Sequence, residues 1–80
     1  MFSAILVNSV TGVGKESGKN WFKISLIAET VTGKNVILEN FCTDTAYYQA
    51  QSIESMSKVK VSCCVTDAGR LAINLIKKEA

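Results

Sequence analysis

The stretch "KNWFKISLIAETVTGKNVILENFC", residues 19–42, decides how the fold is read. Its first arm alternates, with Phe22, Ile24, Leu26 and Ala28 on one side and Trp21, Lys23, Ser25 and Ile27 on the other. That is the period of a strand with one buried face. Gly33, within "TVTGKN", can take a positive φ at no steric cost, so residues 19–29 and 34–42 are expected to pair as a hairpin. In the second arm Val36, Ile37 and Leu38 are consecutive, and alternation does not say which side of it is covered. The only Trp of the chain stands between Lys19 and Lys23, on the side assigned to water.

Working outward, residues 2–10 are rich in β-branched and aliphatic types and form a first strand, and "TGVGKESGKN" interrupts it with three glycines. After the hairpin, Thr43 or Asp44 can cap a helix on which Ala46, Tyr47, Ala50 and Ile53 line one side over about three turns. "KVKVSCCV" resumes alternation, with Val59, Val61, Cys63 and Val65 inward and Lys58, Lys60, Ser62 and Cys64 outward. Asp67 and Gly69 make a tight turn, and a fifth strand returns with Leu71, Ile73 and Leu75 inward and Arg70, Ala72 and Asn74 outward. Phe2 and Phe22 read as core. The order is three strands, a helix and two strands in one domain spanning residues 1–80, a mainly β chain. Five mostly antiparallel strands with a helix between the third and fourth is the arrangement of the OB-fold, a partly open Greek-key barrel. An SH3-like barrel and an α+β sandwich are the alternatives. The chain has no proline to guard a sheet edge, so closure into a barrel or pairing with a second subunit is expected.

Composition narrows the functional classes. Apolar residues are 48% and charged residues 20%, the balance of a packed chain. No apolar run approaches the roughly 20 residues of a membrane-spanning helix, and residues 1–10 lack the basic start of a signal peptide, so no membrane association and a cytoplasmic location are expected. Cys42, Cys63 and Cys64 have no C-x-x-C spacing and the chain has no His, so neither metal nor other cofactor is expected and the thiols read as reduced packing residues. One of the adjacent pair should point inward, leaving Cys64 exposed. Without His, a G-x-S-x-G elbow or a P-loop, no enzymatic chemistry is expected; "GVGKESGK" lacks the glycine spacing and the following Ser or Thr of a phosphate cradle.

Nine basic against seven acidic residues leave a net charge of +2, so placement matters more than total. Lys19, Trp21 and Lys23 share the outward side of the second strand and Lys58 and Lys60 that of the fourth, while Lys15, Lys34 and Arg70 fall in or beside the connecting loops. Single-stranded nucleic acid is held by cations along its backbone and aromatic rings under its bases, and Lys19, Trp21 and Lys23 supply both. Phe41 and Tyr48 are further stacking candidates. The plain alternative is that Trp21 tucks beneath a loop and the lysines only solvate the sheet.

The segment "SGKNWFKISLIAE", a glycine turn, a third strand and the closing hairpin "KVKVSCCVTDAGRLAINLIKK" together resemble the small OB-fold single-stranded DNA-binding proteins. These include the compact bacterial type and the helix-destabilising proteins of filamentous phages and mobile elements, in which a G-K-x-aromatic sequence opens the second strand. The resemblance implies that Lys15, Lys19, Trp21, Lys23 and Lys34 contact single-stranded DNA. It also implies a homodimer that coats and protects strands during phage or plasmid replication. The middle helix departs from the most compact phage proteins, and no acidic or glycine-rich tail matches the bacterial ones. A protein-interaction β-barrel module is the alternative function, and RNA binding would use the same chemistry.

Overall fold

A computed structural model describes residues 1–79. The elements are β1 (Phe2–Val13), β2 (Asn20–Glu29), β3 (Asn35–Phe41), α1 (Asp44–Gln51), β4 (Lys58–Val65) and β5 (Leu71–Lys78). The fold is mainly β, and the ladders between these strands are all antiparallel in one sheet of order β3-β2-β1-β4-β5. The expected barrel does not close as a continuous ladder: the edge strands meet only where Cys42 and Ile73 form one isolated parallel bridge.

The two predicted turns form as their glycines require. The Thr30 amide donates to the Lys34 carbonyl at 2.7 Å with Gly33 at φ 85°, and the Thr66 amide donates to the Arg70 carbonyl at 2.8 Å with Gly69 at φ 77°. β1 runs three residues past the expected break. Thr11, Gly12 and Val13 lie opposite Phe22, Trp21 and Asn20, because the start of β2 offers them a ladder that local propensity ignores. The loop shrinks to residues 14–19.

The helix is a little over two turns, shorter than expected. The Thr43 hydroxyl caps it by accepting from the Ala46 amide at 3.2 Å, and Ala46 and Ala50 are buried against the sheet. Tyr47 and Ile53 pack at the margin of a single core built from Leu6, Ile24, Leu26, Val59, Val61 and Ile76 with smaller neighbours.

Two strands depart from simple alternation. In β5, Ser62 faces Leu75 but Cys63 faces Ile73, so Asn74 is an extra residue bulged out of the ladder. The bulge moves the inward set by one position. Ala72, Ile73 and Ile76 are buried, while Leu71 and Leu75, expected inside, are exposed. In β4, Val59 and Val61 are buried as expected, but Cys63 and Val65, beyond the residues that pair with β1, are exposed. The expectation for the paired cysteines is thereby reversed: Cys63 is exposed and Cys64 half-buried. Phe2, at that same end, is exposed rather than core. A second bulge, at Val7 of β1, separates Leu6 opposite Leu26 from Asn8 opposite Ser25.

Candidate nucleic-acid interface

The side of β2 opposite the core carries Trp21, Lys23, Ser25 and Ile27, and the ladders set their neighbours. Gly12 lies across from Trp21, Val10 and Phe41 flank Lys23, and Glu39 lies across from Ser25. Trp21 is half-buried for a local reason. A Cβ on Gly12 would collide with Cζ2 of the indole and stand 2.7 Å from Cε2 and 3.1 Å from Cη2, so the ring occupies the space that only a glycine leaves free. The Thr11 hydroxyl adds a 2.8 Å bond to the Trp21 carbonyl and ties the two backbones at this point. The tryptophan rests on the strand beside it, not under a loop.

The Lys23 ammonium stands 5.5 Å from the centre of the Trp21 ring and 4.9 Å from that of Phe41, within the range in which an aromatic quadrupole attracts a cation. It also approaches Glu39 Oε1 at 3.4 Å, a pair exposed enough to contribute little to stability. Between β1 and β2 the Gly14 amide donates to the Lys19 carbonyl at 2.8 Å and the Gly18 amide to the Gly14 carbonyl at 3.0 Å. This closed loop holds the exposed Lys15 and Lys19 at the Trp21 end of the strand.

The remaining candidates are elsewhere. Lys34 lies in the β2–β3 turn, roughly 30 Å along the strand from Trp21 at about 3.3 Å per residue. Lys58 and Lys60 are on the outward side of β4, across from Ile5 and Ser3 of β1, and Lys60 faces Lys77, which composition and spacing did not single out. An apolar row of Ile37, Ile27 and Ile5 crosses the sheet and ends at Lys58. Arg70 is exposed in the β4–β5 turn. Tyr48 is 65% exposed, but its ring is 5.4 Å from Tyr47 and 6.4 Å from Phe22, so it joins an aromatic cluster on the opposite side of β2 from Trp21.

Trp21, Lys23 and Phe41 therefore come together with Lys15 and Lys19 nearby, and Lys34, Tyr48, Lys58 and Lys60 do not join them. Sequence reasoning missed Gly12 and Glu39. Glycine opposite an outward-facing aromatic is the signal for the first, visible only once the strand register is known.

Cys42 is buried beside this region, and burial pushes its thiol up from the ordinary 9.0 to about 11. Among the described residues no three His, Cys, Asp or Glu side chains gather as a metal site, and no helix is long and apolar enough to cross a membrane. No protein family, curated protein or solved structure gives a match to this chain.

Proposed function

We propose that this chain is a non-enzymatic OB-fold protein that binds single-stranded DNA without regard to sequence, coating and protecting strands during phage or plasmid replication in the cytoplasm. The observation that carries the reading is the Lys23 ammonium set between the Trp21 and Phe41 rings on an outward sheet surface. An aromatic ring accepts any base by stacking, and a neighbouring cation meets the phosphate that follows it. In OB-folds the surface of strands 2 and 3, flanked by the loops joining strands 1 to 2 and 4 to 5, takes up oligonucleotides. Trp21 and Lys23 stand on strand 2 and Phe41 on strand 3, with Lys15 and Lys19 in the loop joining strands 1 and 2 and Arg70 in that joining strands 4 and 5, which supports this reading. A homodimer would lengthen the track.

One observation favours a different reading. Val36, Ile37 and Leu38 are all exposed on one strand, as an interface-forming β module would require. Titration separates the two. Trp21 is the only tryptophan, so its fluorescence reports on the site directly. Oligo-dT should quench it with an affinity that falls steeply with salt, and oligo-U titrated in parallel tells DNA from RNA. An unchanged signal with both would refute nucleic-acid binding and leave the protein-interaction module.

A further inference from the structure

The sheet has two edges, and only one is guarded. On β5 the Ile76 amide donates to Gln49 Oε1 at 3.0 Å and the Ile73 carbonyl accepts from the Thr43 amide at 2.9 Å. That strand also carries the bulge, Lys77 and Lys78. Covering groups, bulges and lysines are the means by which an edge is kept from pairing with another chain. Along residues 35–39 of β3 there is no lysine, proline or bulge, and every residue is exposed, Ile37 to 74%.

The hydrogen-bonding sense of that edge can be worked out. The Cys42 amide donates to the Phe22 carbonyl at 3.0 Å, the Lys34 carbonyl accepts from the Thr30 amide, and the ladder between them is unbroken. Even-numbered residues of β3 therefore turn their N–H and C=O toward β2, and Asn35, Ile37 and Glu39 turn theirs outward. Phe41 ends the run, because its amide is closed by Asn40 Oδ1 at 3.0 Å.

We propose that this edge pairs with the same edge of a second copy, antiparallel about a two-fold axis at Ile37. In that register Ile37 faces its own equivalent, Asn35 faces Glu39 and Val36 faces Leu38. The outward-turned residues exchange about six backbone bonds, two for each facing pair. Apolar side chains meet apolar ones on both sides of the sheet, and the Asn35 amide meets the Glu39 carboxylate. Lys34 faces Asn40, so no like charges oppose each other. A shift of two residues in either direction sets Ile37 against Glu39 or Asn35, and Val36 or Leu38 against Asn40 or Lys34. A shift of one sets outward-turned groups against groups already bonded to β2. The edge is self-complementary in one register.

Such a contact is small, in the class below about 1,200 Å² that forms exchanging complexes, so the dimer is concentration-dependent. The axis is perpendicular to the sheet, which puts both Trp21–Lys23–Phe41 groups on one continuous side. That consequence rests on the nucleic-acid reading, but the pairing itself does not.

Sedimentation velocity across a concentration series should show mass rising from one chain toward two, with hydrogen exchange at the Ile37 and Glu39 amides slowing in step. Ile37→Lys places two like charges on the axis, and Ile37→Pro removes the outward N–H. Ile37 is exposed, so both should leave circular dichroism and melting temperature near wild type and give a monomer. A wild type that stays monomeric throughout, or variants that dimerise as well as wild type, would overturn the proposal. If wild type binds oligo-dT while remaining a monomer, the pairing fails and the nucleic-acid reading stands.

Discussion

Replacing Gly12 with alanine tests the platform beneath Trp21. The added Cβ would lie 2.7 Å from Cε2 and 3.1 Å from Cη2 of the indole, whereas carbon atoms settle at about 3.5–4.0 Å, so the ring must shift by roughly 1 Å. Two effects on stability oppose each other. Alanine restricts the unfolded chain and contributes about 0.4–1 kcal/mol, while crowding costs about 1–3 kcal/mol where the neighbour cannot yield. The indole is only half-buried and can lift, so the cost falls at the low end and the net change should stay within about 1 kcal/mol. Binding should respond more. A stacked base contributes about 1–3 kcal/mol, or about 5- to 150-fold in affinity, and a displaced ring forfeits part of it. Gly12→Ala should weaken oligo-dT binding by about 5- to 20-fold, shift Trp21 emission to longer wavelength and leave the melting temperature nearly unchanged. In a Trp21→Ala background the same substitution should leave affinity unaltered and raise stability by about 0.4–1 kcal/mol, since the colliding group is gone. If Gly12→Ala keeps both the wild-type emission and the wild-type affinity, the indole does not rest on Gly12 and the argument for a fixed stacking surface fails.

Lys23→Gln should lower oligo-dT affinity and flatten the plot of log affinity against log salt by about 0.7, the share of one phosphate contact on a single strand; an unchanged slope would place Lys23 outside the contact. The β5 bulge predicts an inequality between adjacent residues. Ile76→Ala should cost about 2–5 kcal/mol and lower the melting temperature by roughly 10 °C or more, while Leu75→Ala should cost under about 1 kcal/mol, and reversal of that order would show that the alternation runs unbroken. Thiol labelling at pH 8 should modify the exposed Cys63 first and Cys42 last, because a thiol raised to about 11 is only on the order of 0.1% ionised there. Burial of Cys42 favours the protonated thiol, so its support of the fold is full below pH 9 and is lost as pH rises toward 11, which thermal melts across that range would register.

Much of the fold was legible because single-strand alternation survives wherever a strand keeps one covered face. The split of β2 into Ile24, Leu26 and Ala28 against Trp21, Lys23, Ser25 and Ile27 appears unaltered in the structure, as do the glycine turns at Gly33 and Gly69 and the buried alanines of α1. Each depends on residues near one another in the chain. The errors in β4 and β5 have a different origin. Leu71 and Leu75 obey alternation in sequence, yet Asn74 has no counterpart in β4, and that mismatch is a property of two strands together. Cys63 and Val65 obey it as well, yet both are exposed, because alternation names a face and not what packs on it.

The candidate interface divides along the same line. That Trp21 and Lys23 point away from the core follows from the chain alone, by a period of two. That Gly12 lies beneath the indole, that Phe41 brings a second ring to Lys23, and that Tyr48 faces away with Phe22 and Tyr47 were decided by the tertiary structure. The physical reason is that periodicity assigns a side chain to a face, whereas its neighbours on that face are set by strand register, which the partner strands and their bulges impose.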